Sequence, residues 1–468
     1  MKITFHGAAQ TVTGSKHLIE LKNGKKLLLD CGLFQGMGDK TLELNTHFGF
    51  DPREVDYMIL SHAHIDHSGL LPKLVKEGYK GKIYCTPATA DLTTVLLQDS
   101  AFIQEADVAF VNKKRAAQGL PYIQPLYTIA DANKVFPLFH KVPYNEICQI
   151  EKDISFHYTD TGHILGSAAV HVTITEDNKK NVITFSGDVG RYRDVILRSP
   201  DVFPQSDFII IESTYGNSLH EDYRNTAEDL LRHIQETCIE NKGKLIMPAF
   251  SVGRTQEILF ALNQLENENR LPDIPYYVDS PLSSKTTKII KQHTELFNKH
   301  VQDLMKTDKF PFDFKGLTFI EDVEDSKRLN SRKEPMVIIS ASGMAEAGRV
   351  KHHIANNIEN PRNRILITGY CEPRSLGARL VRGDKQVKIF REEYEVKCSV
   401  DAIRSMSAHG DYDDLCQFLA CQEEHLVKEL FIVHGEYEVQ KDFQRSMMKK
   451  GFKMVNIPAM HQSFKLDI

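Results

Sequence analysis

The sequence predicts a mixed α/β protein in two parts: a sheet-rich core to which the end of the chain returns, and a second α/β domain inserted within it. Three observations carry that prediction. Short apolar strands alternate with helical stretches through the first two hundred residues. The middle of the chain has the rhythm of a mostly parallel sheet, with apolar strands separated by segments long enough for helices. Finally, the heptapeptide Ser61-His62-Ala63-His64-Ile65-Asp66-His67 packs four metal-ligand side chains at a strand end, and the partners it needs are complete only near residue 434.

Composition sets outer bounds. A chain of 468 residues has ample material for a core and a loose prior of about three domains, of which two fit the pattern. The formal net charge is −5, with 58 Lys and Arg against 63 acids, which argues against nonspecific coating of nucleic acid but leaves room for a local basic groove. Eight cysteines show no Cys-x-x-Cys pair and read as reduced thiols, as expected in the cytoplasm. Met1 to His6 lacks the apolar core of a signal peptide, and no apolar run approaches ~18 residues, so neither secretion nor membrane spanning is expected.

Taken in order, Ile3-Thr4-Phe5, His17 to Leu21 and Lys26 to Asp30 read as strands, the latter two joined by a hairpin at Asn23-Gly24. Asp30 ends an apolar strand before Cys31-Gly32. Val55 to Leu60 is the strand that delivers the heptapeptide. His62 and His64, two apart on nearly extended chain, project to the same side and can share one ion, while Asp66 and His67 turn toward a second. Beside this ligand loop, Asp30 becomes a carboxylate placed to orient a ligand or a metal-bound water. A helix over Ser68 to Gly78, a strand over Lys82 to Cys85 and a long helix from Pro87 to Lys114 follow. Phe156 to Asp160 leads into Thr161-Gly162-His163, where glycine lets the backbone turn and aim His163. His157 and His171 read as ordinary strand residues. Asn181 to Phe185 then delivers Ser186-Gly187-Asp188, a second acid at a strand end.

Counting donors, His62, His64 and His163 offer one ion three nitrogens, Asp188 can bridge, and Asp66 with His67 begin a second site that is one ligand short. The gap is filled by His434, after the apolar strand Leu430 to Val433. Everything between Glu212 and the return must then be an insertion. Its strands are Lys244 to Pro248, Pro275 to Val278, Met336 to Ser340 and Ile365 to Gly369.

Together these residues resemble the β-CASP nucleases of the metallo-β-lactamase superfamily, a family that includes the pre-mRNA 3′-end endonuclease and its prokaryotic relatives. The resemblance rests on Asp30, His62-x-His64-x-Asp66-His67, His163 and Asp188. It also rests on Glu212 in Glu-Ser-Thr-Tyr-Gly, His409 in Met-Ser-Ala-His-Gly-Asp and His434 in Val-His-Gly-Glu. It implies an αββα sandwich formed by residues 1–212 and 397–468, with a β-CASP domain over 213–396. It further implies two zinc ions per chain and single-stranded RNA as substrate, since histidine at the position of His434 marks the RNA-directed members. Because the chain ends soon after His434, an endonuclease is favoured. A homodimer is the candidate assembly.

Water held by such a centre is acidified toward a pKa of ~7, which provides a hydroxide nucleophile for phosphodiester hydrolysis. His409 is then the candidate general acid for the leaving oxygen, and Glu212 the partner that holds its ring. A helix-entry histidine capped by Ser407 is the ordinary alternative for His409. Basic residues cluster from Arg362 to Arg391, where Arg374 and Arg379 are candidate phosphate contacts. Ser340, Ser342 and Gly343 follow a strand and precede a helix, so their amides could also hold a phosphate. The rival functions are a metallohydrolase acting on DNA or on a small ester or lactam, and a non-catalytic RNA-binding scaffold.

Overall fold

In the computed structural model, all residues are described except Asn178, residues 221–225, Tyr370, Glu372, Pro373, Arg404, Ile468 and the side chain of Asp39. The chain divides into two compact units, Met1–Leu219 with His409–Ile468, and His220–Ala408.

The first unit is built on two seven-stranded sheets. One runs, edge to edge, Ser463–Lys465, Lys2–Phe5, His17–Glu20, Lys26–Leu29, Tyr57–Ile59, Ile83–Cys85 and Phe139–Lys141. The other runs Val455–Asn456, Glu429–Ile432, Phe208–Ile211, Lys179–Phe185, Ala168–Glu176, Ile154–Asp160 and Cys148–Glu151. Alternation along each strand explains why the sheets stack. Leu27 and Leu29 point to one face and join Phe156, Val170, Phe185, Ile210 and Phe431 in the core between the sheets. Leu28 points the other way, into a layer with Leu71, Leu74 and Leu97 from helices outside the first sheet. On the second sheet, Ile209 and Ile211 similarly face Leu415, Phe418, Phe443 and Met447. The result is the αββα sandwich expected. Strand Glu429–Ile432 lies parallel to Phe208–Ile211, with Ile211 opposite Ile432, so the returning chain completes a sheet begun two hundred residues earlier.

Most expected strands of this unit are present within a residue or two, including the hairpin that pairs His17 with Leu29. The helix expected over Ser68 to Gly78 is instead two short ones, Ile65–Ser68 and Leu71–Lys76. Proline at position 72 suits the first turn of the second helix, where its missing amide costs nothing. The long helix extends to Pro87–Ala117.

The second unit holds a six-stranded sheet in the order Leu317–Phe319, Tyr276–Val278, Met336–Ser340, Lys244–Pro248, Arg364–Ile367 and Ser399–Ala402, all pairs parallel. Its limits differ from the expected 213–396. Ser399–Ala402, expected to belong to the return segment, pairs with Arg364–Ile367 in this sheet. The strand is short and half-polar, so its sheet is chosen by pairing and not by its own pattern.

Candidate metal centre

The candidate ligands all hang from strand ends of the first unit. After Tyr57–Ile59 the chain stays extended to His64, which stands at the entrance of the helix Ile65–Ser68. His62 Nε2 and His64 Nδ1 therefore meet on one side, 3.2 Å apart. His163 arrives from the loop after Ile154–Asp160, where Ser167 Oγ accepts the backbone N–H groups of His163 and Ile164. Its Nε2 also lies 3.2 Å from His64 Nδ1. Asp188 follows Gly187, whose positive φ and approach to Ser61 leave no room for a side chain, since a Cβ would come within 2.8 Å of the Ser61 Cβ.

Asp188 Oδ2 sits 3.5 Å from both His62 Nε2 and His163 Nε2. Its Oδ1 lies 3.2 Å from His67 Nε2 and 3.7 Å from His434 Nδ1. One carboxylate thus offers an oxygen to each of two donor groups. His434 Nε2 is 3.6 Å from Asp66 Oδ2, and Asp66, His67 and His434 form the second group.

These residues fit divalent ions. Donors about 2.0–2.1 Å from a tetrahedral ion stand about 3.3–3.4 Å from each other, close to the separations of 3.2 and 3.5 Å in the group His62, His64, His163 and Asp188. In addition, His67 Nε2, Asp188 Oδ1 and His434 Nε2 are buried without a hydrogen-bond partner. Leaving such atoms unsatisfied is costly, and a cation satisfies all three at once.

Electrostatics prepare the donors. Burial pushes the His64 pKa down to about 4 and that of His62 well below the usual range, so both rings are neutral with lone pairs to give. Burial opposes charge on Asp66, but His434, His67 and His64 overcome it and hold the carboxyl at about 2. Burial likewise disfavours a charged His67, yet Asp188 and Asp30 outweigh it and raise the ring's pKa, so an incoming cation has to displace the Nε2 proton while Asp30 keeps the one on Nδ1.

Asp30 is fully buried, and its oxygens are spent on neighbours. Oδ1 accepts from the Ser61 amide at 2.8 Å, while Oδ2 accepts from the Ser61 hydroxyl at 2.8 Å and faces His67 Nδ1 at 2.6 Å. Of the two roles expected for it, orienting a ligand matches this geometry, because the contact fixes the His67 tautomer that bares Nε2. Thr214 does the same for His434 and was not singled out in the sequence. Its hydroxyl donates to the His434 carbonyl and takes the Nδ1 hydrogen at 3.0 Å, leaving Nε2 bare. Its signal is its place two residues beyond Glu212, at the end of the strand paired with the one that carries His434.

His409 and Glu212 meet as expected. Nδ1 of His409 lies 3.1 Å from Glu212 Oε1, and the ring is also 3.9 Å from Asp188 Oδ2. Glu212 is fully buried and receives the amides of Val189 and Thr214 as well. Donor atoms of Asp188, Glu212, His409 and His434 lie close enough to form a third candidate group, but Glu212 is already committed to two amides and the imidazole. Burial lowers the His409 pKa, but the carboxylates of Glu212 and Asp188 more than reverse this and raise it to about 9. Ser407 is not the cap of the next helix. Asp411 caps Tyr412–Leu419, which places His409 ahead of the helix, in the loop.

The expected phosphate contacts, all in the second unit, look different. No helix starts just after Ser340. A turn intervenes, and Arg349–Asn357 begins beyond Gly348. The Ser340 hydroxyl donates to the Asp279 carbonyl and the Ser342 amide to Ala347, so a helix N-terminus at Ser340, Ser342 and Gly343 is not formed. Arg379 is paired with Asp384 and the carbonyl of Gln386, and Arg374 lies at the surface just before the helix Leu376–Arg382.

Two stacked sheets flanked by helices, with imidazole and carboxylate donors gathered at their strand ends, define a metal-dependent hydrolase. The chain belongs to the β-CASP family of the metallo-β-lactamase superfamily. The metallo-beta-lactamase superfamily profile matches residues 14–233, the Beta-Casp domain 255–380, and the Zn-dependent metallo-hydrolase RNA specificity domain 393–458. A ribonuclease of Thermus thermophilus is 34% identical over 440 residues, 94% of this chain and 94% of its own. An RNase J-like protein of Methanocaldococcus jannaschii is 31% identical over 452 residues, 96% of this chain and 95% of its own. The transcription termination factor FttA of Methanosarcina mazei is 30% identical over 464 residues, 96% of this chain and 69% of its own.

Proposed function

We propose that this hydrolase is a ribonuclease, acting as an endonuclease on single-stranded RNA, with two zinc ions per chain held by His62, His64, His163 and Asp188 and by Asp66, His67, His434 and the shared Asp188. The observation that carries the reading is the His409–Glu212 pair set against Asp188 at the edge of the donor groups. Zinc bound there supplies positive charge for a phosphate and an acidified water. The chain supplies the rest. Glu212 keeps Nδ1 of His409 protonated and the ring cationic, so that Nε2–H can be given to the departing ribose oxygen. The match to an RNA specificity domain and the two ribonuclease-type relatives support RNA over DNA or a small ester. Eight free cysteines suit a reducing cytoplasm, and among the described residues no helix is long and apolar enough to cross a membrane.

The test is incubation of zinc-loaded protein with 5′-labelled and 3′-labelled single-stranded RNA, with DNA of the same sequence as control. Internal fragments from both labels, with DNA left intact, are expected. Products from one end alone would replace the endonuclease with an exonuclease. Equal cleavage of DNA, or none of RNA, would sink the reading.

A further inference from the structure

Lys16 stands just ahead of the strand His17–Glu20 and is fully buried. Lysine almost never takes such a place without a carboxylate to pair with, yet among the described residues none pairs with it. Its amine donates instead to two glycine carbonyls, Gly14 at 2.8 Å and Gly32 at 2.9 Å, with the Phe34 ring centre 4.2 Å away. Burial costs the charged form enough to lower the pKa to about 7, but the neutral amine still carries an N–H for each carbonyl. What those two carbonyls are attached to accounts for a side chain kept at such cost.

Gly14 closes the loop that leaves the first strand at Gly7, within which the Ala8 amide donates to the Thr13 carbonyl at 3.1 Å. Ala8 and Gln10 both have positive φ, a conformation such residues keep only where their surroundings impose it. This loop seats His434, whose amide donates to the Ala8 carbonyl at 2.7 Å. Gly32 lies on a different segment, where the amides of Cys31 and Leu33 donate to the carbonyls of His67 and Ile65 at 2.7 and 2.9 Å. The two segments meet on Asp66. Its carbonyl accepts the Ser15 amide at 2.8 Å, and a Cβ at Gly32 would fall 1.6 Å from the same oxygen. Asp66, His67 and His434 are the second donor group, and none of these contacts reaches His62, His64 or His163.

We propose that Lys16 is a positioning residue for the second donor group, tying the loop that seats His434 to the segment that seats Asp66 and His67. The proposal rests on the two-ion reading above and adds a selective requirement to it, since loss of the tie should loosen one ion and leave the other. Lys16→Met tests this, because methionine is as long and unbranched, suits burial and donates no hydrogen bond. Metal-free full-length protein is titrated with cobalt(II), whose visible bands report each ion as it binds, and circular dichroism checks the fold. The first equivalent should bind as in wild type and the second at least about tenfold more weakly, the usual scale for losing a group that orients a metal ligand. Lys16→Gln, which keeps an N–H group on a shorter arm, should weaken the second equivalent in the same sense and serves if the methionine variant does not fold. A folded variant that binds the second equivalent as tightly as wild type overturns the proposal. So does an equal weakening of both equivalents, which would make Lys16 part of the general framework. Failure of the two-ion reading is seen separately, in the wild type: uptake of a single equivalent there removes the second donor group and the part of Lys16 in it.

Discussion

His409 is half-buried between two carboxylates, and its protonation decides what it can do. Burial lowers its pKa, Glu212 and Asp188 raise it further, and the balance lies at about 9 in the metal-free protein. Because that is above the ordinary 6.5, the pairing stabilises the fold fully below pH 6.5 and ceases to do so as pH rises through about 9. In chelated protein, the stability difference between wild type and His409→Ala should therefore shrink over that window. A difference that is constant with pH would remove the charge from the pair. In the loaded enzyme, His409→Ala should keep both ions yet lose cleavage by a factor on the order of 10² to 10⁴. With a sulfur leaving atom, which departs without a proton, the variant should approach the wild-type rate. Equal defects on both substrates would leave His409 a positioning residue. Glu212→Gln removes the charge that raises the imidazole, so the alkaline limb of the cleavage profile should move to lower pH. A limb that stays in place would separate Glu212 from the acid.

At the scale of elements, the site depends on how strands end and helices begin. Asp411 accepts the amides of Asp413 and Asp414, and the Asp414 side chain returns to the Asp411 amide, a reciprocal cap on Tyr412–Leu419. Asp414 also receives the Tyr192 amide, and the Gly410 amide donates to Val189, so the cap ties the loop bearing His409 to the loop bearing Asp188. Asp411→Ala should cost about 1 kcal/mol of stability in chemical denaturation. It should also lower kcat without changing metal content, because His409 loses its anchor while the donor groups do not. If kcat is unchanged, the position of His409 is set by Glu212 alone.

The whole molecule is a sheet begun early and finished late. His434 enters only because Glu429–Ile432 pairs with Phe208–Ile211, so the wild type should hold two tightly bound zinc ions and His434→Ala one. Elemental analysis showing two ions in the variant would remove His434 from the centre. In the second unit, Arg374 and Arg379 are the candidate phosphate contacts. Arg374→Ala and Arg379→Ala should each weaken RNA binding and flatten its salt dependence. Equal affinity and an equal salt slope in both variants would make this stretch a solvated face.

The sequence by itself determined the residues whose type and local spacing carry the chemistry. His62, His64, Asp66 and His67 follow one strand, and Asp188 and Glu212 each end another. The rhythm of short apolar strands and helical stretches was enough to read the inserted parallel sheet, whereas the sandwich followed from the resemblance that the ligand motifs carry. Tertiary structure decided what depends on distant partners. The tautomer of His434 is set by a threonine 220 residues away. Ser399–Ala402 joins the inserted sheet because Arg364–Ile367 offers it an edge. The Ser340 turn spends its hydrogen bonds on Asp279 and Ala347, where a helix start was expected. Local propensity is encoded in neighbours along the chain, whereas hydrogen-bond satisfaction is encoded only in neighbours in space.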